Sequence, residues 1–278
     1  DDSPNEEMVS VAEAIGVNLV TPKSEKELYK DIEDVDFAIP TPGLRESHFF
    51  FKAVADRGIP ILTEFDLAAQ WDNRPILAIT GTNGKTTVST MVHEMLERSG
   101  IVSALAGNTD IPLVSAIRKD ETETMVVEAS SFRLSHSNIF KPRVAAWLNF
   151  APDHLDVHRN LDTYEEAKKA IWKNLGPADT AVAGIEDEVV HRNIPSGANT
   201  ITFGLSKGDS RLEAEMLIIN GIQLLEVREL PRRSPHDILN SLAAGSIAAE
   251  GGATDQAIQE VLRAFSGLPH RLTFLGSK

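Results

Sequence analysis

The stretch Pro75-Ile-Leu-Ala-Ile-Thr-Gly-Thr-Asn-Gly-Lys-Thr-Thr87 decides the fold of this 278-residue chain. Its first part, Ile76 to Ile79, is a short apolar run typical of a buried parallel strand. A loop bracketed by Gly81 and Gly84 follows, and apolar residues then recur at helical spacing from Val88. Such a loop can turn its backbone N–H groups toward an anion, and the helix N-terminus adds positive charge at the same place. The stretch therefore predicts a phosphate-binding loop.

The loop is a short form, G-x-x-G-K-T-T, of the common phosphate-binding motif. The eight-residue form would need a glycine at the position of Ile79. Lys85 is expected to reach the outer phosphates and the Thr86 hydroxyl to bind a magnesium ion. A plain tight turn is the alternative, but the flanking strand and helix match the context that the motif requires. The predicted phosphate-binding residues are Gly81, Thr82, Asn83, Gly84, Lys85, Thr86 and Thr87.

Composition limits the classes of partner. The formal net charge is −14, from 27 Lys and Arg against 41 Asp and Glu, which argues against a nucleic-acid or anionic-membrane surface. The chain has no cysteine, which excludes a disulfide framework, a thiol nucleophile and a zinc–thiolate site. No apolar run approaches the roughly 18 to 20 residues of a membrane span. We expect a cytoplasmic monomer without membrane insertion.

The pattern of strands and helices predicts an α/β protein with two domains. Residues 1–73 show short strand signals at 17–20, 35–39 and 59–62 between helical stretches, typical of a small N-terminal α/β, Rossmann-like domain. A polar turn and Pro75 place the boundary there, so residues 74–278 form the second domain. Alternating strands and helices in it predict a mostly parallel sheet with ligands at the carboxyl ends of the strands. Candidate strands are 76–80, 101–105, 124–128, 144–149, 180–183 and 200–203. Asn220-Gly221 predicts a later hairpin.

Several polar side chains follow these strands. Glu128 ends one strand, where a carboxylate beside a phosphate loop could hold magnesium. His154 lies in an acidic loop after the next strand and could bind metal or a substrate carboxylate. Helix capping is the alternative for this loop, and it is favoured for Asp156 and His158. Lys168 has, by pattern alone, the position of an exposed helix lysine.

Four segments together resemble the Mur ligase family. They are Gly-Thr-Asn-Gly-Lys-Thr-Thr at 81–87, Glu-Ala-Ser-Ser-Phe-Arg-Leu at 128–134, Asn-Phe-Ala-Pro-Asp-His-Leu-Asp at 149–156 and Gly-Leu-Pro-His-Arg at 267–271. The first alone would fit any member, including the folylpolyglutamate synthases. The second and fourth are most similar to the members that add D-glutamate. Thr41-Pro42-Gly43 resembles the family's Ser-Pro-Gly loop near a uridine nucleotide.

The resemblance implies ATP and two magnesium ions as cofactors. It implies that Thr86 and Glu128 hold the first ion, and that His154 and a carbamylated Lys168 hold the second. Lys85, His154, Lys168 and Arg271 would be catalytic, with Arg271 at the γ-phosphate. Asn240 would face the adenine. The substrate-binding residues would be Thr41, Pro42, Gly43, Asn108, Ser130 and His154. Asp237 stands where the family usually has Asn, and a carboxylate cannot donate the amide hydrogen bond.

The implied reaction joins UDP-N-acetylmuramoyl-L-alanine to D-glutamate through an acyl phosphate, at the expense of ATP. The family's opening strand and its C-terminal domain are expected to lie outside this sequence, so the chain alone should be a poor ligase. Two alternatives remain at this point. One is a folylpolyglutamate synthase-like ligase, and the other is a truncated ATP-binding module without ligase activity.

Overall fold

A computed structural model describes residues 4–268 of the chain. Its centre is a six-stranded sheet in which every neighbouring pair runs parallel, in the order β2-β3-β1-β4-β5-β6. The strands are β1 (Ile76–Thr80), β2 (Ser103–Gly107), β3 (Thr124–Glu128), β4 (Val144–Trp147), β5 (Thr180–Gly184) and β6 (Asn199–Phe203). The predicted parallel sheet is confirmed, and β1, which precedes the glycine loop, lies at its middle.

Helices cover both faces of this sheet, as parallel strands require. The four helices before it are α1 (Glu6–Ala14), α2 (Glu25–Asp31), α3 (Phe49–Asp56) and α4 (Glu64–Trp71). Those that follow β1 are α5 (Lys85–Arg98), α6 (Leu113–Ala116), α7 (Ser131–Leu134), α8 (Leu161–Lys169), α9 (Glu188–Arg192), α10 (Pro235–Glu250) and α11 (Asp255–Ala264). In the part of the chain that the structure describes, no helix is both long enough and apolar enough to cross a lipid bilayer.

Strand β1 contributes side chains to two separate hydrophobic cores, because successive side chains point to opposite faces of the sheet. Leu77 and Ile79 pack with α5, α10 and α11 on one face. Ile76 and Ala78 pack on the other, where Trp147 and Phe65 belong to the same cluster. Both cores are buried, so the sheet is a rigid support for the loop that leaves β1.

A smaller antiparallel sheet packs against α10. It consists of β7 (Arg211–Glu213), β8 (Met216–Ile219) and β9 (Ile222–Glu226). Asn220 and Gly221 connect the last two strands with φ values of 49° and 83°, the left-handed conformation that a tight hairpin turn uses. The hairpin predicted from Asn220-Gly221 is confirmed.

The N-terminal strands are where the prediction was wrong. Among the described residues before β1, the strand signals at 17–20, 35–39 and 59–62 yield one isolated parallel bridge, between Ala38 and Ile61. Val17 and Phe37, from these apolar runs, are exposed. An apolar run forms a ladder only where a neighbouring segment supplies its hydrogen-bonding partners, and this local pattern does not show whether one is present.

A buried carboxylate joins the N-terminal helices to the sheet. Asp66 of α4 is fully buried and accepts hydrogen bonds from the backbone N–H groups of Ile139 and Phe140, at 2.8 and 3.0 Å. The Ser137 hydroxyl donates to it as well, at 2.9 Å. Burial raises the pKa of Asp66, but these hydrogen bonds outweigh it and leave the pKa lowered. The charged carboxylate therefore fixes α4 against the loop that leads into β4.

Candidate functional site

Both glycines of the loop are required by their surroundings. Gly84 has φ 89° and caps the N-terminus of α5, and a Cβ there would lie 2.5 Å from Asn240 Oδ1. At Gly81 a Cβ would lie 3.0 Å from the Cβ of Leu148. The loop thus passes close to β4 on one side and to α10 on the other, where a side chain would not fit.

The loop that follows β4 holds the glycine loop in place. The Asn149 side chain accepts from the Asn83 N–H at 2.9 Å and donates to its carbonyl at 3.1 Å. The Thr82 hydroxyl accepts from the Ala151 N–H at 2.9 Å. The side chain of Thr82 therefore stabilises the loop conformation by hydrogen bonding to the loop after β4. The glycine loop has this conformation without a bound ligand.

Two lysines converge on one carbonyl of the loop. Lys85 donates to Gly81 O at 2.9 Å and to Thr82 O at 3.1 Å. Lys168 of α8 donates to the same Gly81 O at 2.8 Å, with its ammonium 4.7 Å from the ring centre of Tyr164. The loop therefore has the amino groups of two lysines at its base.

Lys168 is buried, so the pattern-based expectation of an exposed helix lysine is wrong. It is 1% exposed and shares the inward face of α8 with Tyr164 and Ala167. Burial, together with the charge of Lys85, lowers the pKa of Lys168 to about 7. A hydropathy pattern counts Lys168 as polar and therefore predicts that it is exposed. Lys168 is, however, four residues after Tyr164, and residues at this spacing lie on the same face of a helix. The lowered pKa leaves a large share of Lys168 as the neutral amine at pH 7.

Glu128 lies near the glycine loop, and one of its carboxylate oxygens has no hydrogen-bond partner. Its backbone pairs with Ile79, and its side chain is 3% exposed. Asn108 donates to one oxygen, Oε1, at 3.2 Å, but the other, Oε2, has no hydrogen-bond partner, nor does the buried hydroxyl of Thr80. Buried polar atoms are nearly always paired, so Glu128 Oε2 fits a site for a cation or ordered water.

The donor set fits magnesium. Mg²⁺ in proteins takes one or two carboxylates together with phosphate oxygens and waters, and does not require a cage of side chains. Within residues 4–268 no cluster of three or more His, Cys, Asp or Glu side chains could hold a metal ion. Among the predicted residues, Glu128 at the end of β3 has a carboxylate of this kind, and Thr86 in the first turn of α5 has a hydroxyl.

His154 follows β4, so it lies at the same end of the sheet as the glycine loop, which follows the parallel strand β1. It has a φ of 54°, rare for a residue other than glycine, and its ring packs 4.7 Å from that of Phe132 and 6.1 Å from that of Tyr164. The Tyr164 hydroxyl is in turn 3.2 Å from the hydroxyl of Thr82. The structure thus connects His154 to the loop through one aromatic side chain, with its imidazole exposed.

The predicted substrate residues fall into two groups. Asn108 and Ser130 lie at the ends of β2 and β3, where the Asn108 N–H donates to the carbonyl of Glu128 at 2.8 Å. Ser130 caps α7 by accepting from the Arg133 N–H at 3.4 Å. Thr41, Pro42 and Gly43 line a narrow cavity of about 40 Å³, and Phe132 and Arg133 of α7 line it as well. Arg271 lies outside the described residues.

His158 is a buried residue that the sequence pattern did not identify. Its Nε2 is 3.0 Å from the Ser131 hydroxyl and its Nδ1 is 3.2 Å from Glu46 Oε1. Burial lowers the pKa of His158, although Glu46 opposes this. The helix-cap interpretation for this residue is therefore wrong. No sequence spacing links Glu46, Ser131 and His158, and only the fold brings them together.

A cavity of about 420 Å³ adjoins the glycine loop. Apolar side chains from four parts of the chain line it, and polar groups stand at its edge. The apolar residues include Met91, Leu230, Leu239, Leu262 and Phe265, and the polar ones include Asn83, Thr87, Arg232, Asp237 and Asn240. Of these, Asn83, Thr87 and Asn240 were predicted site residues. The size and the mixed lining suit a planar heterocycle next to a phosphate loop.

Comparison with known proteins identifies relatives of this chain. The family model described as the Mur ligase middle domain matches residues 79–246. The UDP-N-acetylmuramoylalanine–D-glutamate ligase of Exiguobacterium sibiricum is 35% identical over 248 residues, covering 88% of this chain and 55% of that protein. The protein of the same name from Bacillus subtilis is 32% identical over 250 residues, with the same two coverages, 88% and 55%. The chain thus spans about half the length of these curated relatives.

A solved structure shows the same fold at lower identity. It is the UDP-N-acetylmuramate:L-alanyl-gamma-D-glutamyl-meso-diaminopimelate ligase from Neisseria meningitides, with a TM-score of 0.63 and 18% identity. The match covers 97% of this chain and 90% of that one. The family model includes the glycine loop from Ile79, the buried Glu128 and Lys168, and most of α10. On this match, and on the sequence relatives above, the chain belongs to the Mur ligase family.

Proposed function

We propose that this chain carries the ATP-binding part of a ligase that joins D-glutamate to UDP-N-acetylmuramoyl-L-alanine. One observation carries the proposal: Lys85 and Lys168 converge on Gly81 O, and Glu128, which pairs with Ile79 just before the loop, has a buried oxygen without a hydrogen-bond partner. This is a place for polyphosphate and a divalent cation. The names of the relatives that the chain resembles support the choice of D-glutamate as the added amino acid.

In this proposal the glycine loop holds the phosphates of ATP. The N–H groups at the start of α5 and the ammonium of Lys85 face the β- and γ-phosphates, which requires Lys85 to leave the carbonyls it binds here. The base occupies the cavity of about 420 Å³, whose wall includes Asn240. Arg271 is proposed to face the γ-phosphate. Positioning and neutralisation of charge are what phosphoryl transfer needs.

Thr86 and Glu128 are proposed to hold one magnesium ion, and His154 with a modified Lys168 a second. Bound magnesium would neutralise charge on the phosphates as the acyl phosphate forms. The modification is a carbamate: the neutral amine of Lys168 bonds to the carbon of CO₂ and loses a proton. A pKa of about 7 supports this, because an ammonium has no lone pair for the reaction. The product is a carboxylate-like group, which suits magnesium.

The proposed nucleotide substrate lies along Thr41, Pro42, Gly43, Asn108, Ser130 and His154. Its alanine carboxylate attacks the γ-phosphorus of ATP, and the bond to ADP breaks. The amine of D-glutamate then attacks the acyl carbon, phosphate leaves with the electron pair of the acyl–oxygen bond, and the nitrogen loses a proton to water. Both steps concentrate negative charge near the loop, where Lys85 is proposed to stabilise it.

A phosphate-release assay on the full-length protein tests this function. With ATP, magnesium and UDP-N-acetylmuramoyl-L-alanine, only D-glutamate among the amino acids should release phosphate. Lys85→Ala should abolish the signal, whereas Lys26→Ala, which removes an exposed lysine of α2, should not change it. Glutamylation of folate would favour a folylpolyglutamate synthase-like ligase instead. Phosphate release that does not depend on the nucleotide substrate would indicate an ATP hydrolase without ligase activity.

A further inference from the structure

A buried histidine connects two segments that are far apart in the chain. The side chain of His158 is 2% exposed, and its Nδ1 lies 3.2 Å from Glu46 Oε1. Its Nε2 lies 3.0 Å from the hydroxyl of Ser131. Glu46 belongs to the segment between α2 and α3, whereas Ser131 is the first residue of α7, which follows β3. The imidazole therefore bridges an N-terminal turn and the end of the central sheet.

The chemistry of the partners fixes the direction of both hydrogen bonds. A carboxylate only accepts hydrogen bonds, so Nδ1 carries the ring proton and donates it to Glu46. Burial lowers the pKa of His158, although Glu46 opposes this, so the ring is neutral at pH 7 and its Nε2 is an acceptor. The hydroxyl of Ser131 consequently donates to Nε2. Each ring nitrogen thus binds a different segment.

Two aromatic rings hold the imidazole in place. The ring of Phe132 in α7 stacks on it, with the ring centres 5.6 Å apart and the planes at 18°. The ring of Tyr164 in α8 packs against it at 5.3 Å between centres. Because these rings restrict rotation of the imidazole, the direction of the hydrogen bond from His158 to Glu46 is restricted as well.

Each end of the bridge adjoins a group of proposed substrate residues. The turn at 41–44 is closed by a backbone hydrogen bond of 3.2 Å and ends two residues before Glu46. At the other end, Ser131 directly follows Ser130. The turn, Glu46 and His158 line the same narrow cavity. The bridge therefore sets the spacing between the turn and the start of α7.

We propose that His158 is a positioning residue for the nucleotide substrate, because it fixes the turn at 41–44 against α7. The inference rests on the proposed function, since it requires a substrate that contacts both the turn and Ser130. The glycine loop is held separately, by hydrogen bonds to the loop after β4. Loss of the bridge therefore weakens binding of the nucleotide substrate and spares that of ATP.

Steady-state kinetics of the full-length protein test this division. Phosphate release is measured while UDP-N-acetylmuramoyl-L-alanine, ATP and D-glutamate are varied in turn. Glu46→Ala and Ser131→Ala should each raise the KM for the nucleotide substrate about 10-fold, the effect of one lost hydrogen bond to a charged or buried group. The kcat and the KM for ATP should change less than about 2-fold, because only binding of one substrate is affected.

The double variant tests whether the two ends act through His158. Glu46 and Ser131 bind opposite nitrogens of one imidazole, so either substitution alone breaks the bridge. Glu46→Ala combined with Ser131→Ala should therefore raise the KM for the nucleotide substrate about 10-fold, as each single variant does. Independent contributions would instead multiply to about 100-fold.

Two further variants serve as controls. Arg159 is exposed and also pairs with Glu46, at 3.5 Å, so Arg159→Gln removes this surface ion pair and leaves the bridge intact. It should not change any KM. Glu46→Gln keeps a carbonyl oxygen that can accept from Nδ1, so its KM for the nucleotide substrate should stay within about 3-fold of the unsubstituted value. Such a rescue would not follow from a damaged fold.

The outcomes that overturn the inference differ from those that overturn the function. A KM for ATP that rises as much as that for the nucleotide substrate would show a general structural role for the bridge. A 100-fold effect of the double variant, or no effect of the single ones, would also refute it. Failure of the unsubstituted full-length protein to release phosphate with UDP-N-acetylmuramoyl-L-alanine and D-glutamate would refute the proposed function, and this inference with it.

Discussion

Lys85 and Lys168 donate to the same backbone oxygen, that of Gly81, at 2.9 and 2.8 Å. One lysine comes from the helix that starts at the loop, and the other from a helix beyond β4. Two ammonium groups on one carbonyl repel each other, and this contributes to the lowered pKa of Lys168. A polyphosphate placed at the loop would relieve that repulsion, so the arrangement is poised for an anion.

Lys168→Met should separate stability from activity. The buried amine is costly to desolvate, so a methionine of similar volume is expected to raise the free energy of unfolding by about 1 kcal/mol at neutral pH. Phosphate release by the full-length variant should fall at least about 100-fold, because the carbamate cannot form. Urea unfolding measures the free energy of unfolding, and the phosphate-release assay measures the activity. Lys169→Met, at the next position of α8, is the control; Lys169 is half-exposed and pairs with Glu166 at the surface, so this variant should change neither quantity appreciably.

Asp66→Asn should destabilise the chain by about 2 to 4 kcal/mol. The carboxylate of Asp66 accepts hydrogen bonds from backbone N–H groups, whereas the NH₂ group of an asparagine cannot accept them and would face those donors. The pKa of Asp66 is lowered in the folded state, so its contribution is present above the unfolded value of about 3.9 and is lost as the pH falls through the folded value. Urea unfolding at pH 7 and in acid measures both effects. Asp36→Asn, at an exposed position, should be neutral. Equal losses at the two positions would contradict this account of α4.

Gly84→Ala should weaken ATP binding at least about 10-fold, because the residue would be forced into a left-handed conformation and against Asn240 Oδ1, 2.5 Å away. Gly100→Ala is the matched control, since Gly100 also has a positive φ, 80°, but no atom within 4 Å of the added Cβ. It should cost about 1 kcal/mol of stability and leave the dissociation constant unchanged. Equal affinities for the two variants would argue against a tight loop next to α10.

Local sequence patterns predicted the parts of the structure that local physics decides. An apolar run, two glycines and a helical periodicity are each readable within a few residues, and β1, the loop and α5 form as predicted. The position of Glu128 near the loop was predictable because the carboxyl ends of parallel strands meet at one edge of a sheet.

The misses depend on contacts between distant segments. Lys168 was expected to be exposed, since no local pattern shows that Tyr164 and the loop would enclose it. The 17–20 run was expected to be a strand, but a strand needs a partner that its own residues do not reveal. The cavity wall joins Met91 to Leu230 and Phe265, a set that only the packing of α5, α10 and α11 defines.

The most direct measurement is the affinity of the 278-residue chain for magnesium ATP, with and without the loop lysine. The account predicts measurable binding by the unsubstituted chain and by Lys26→Ala, and a loss of about 30-fold or more for Lys85→Ala, as expected for a charge-assisted contact to phosphate. Identical dissociation constants for Lys85→Ala and Lys26→Ala would contradict the claim that the 81–87 loop holds the triphosphate.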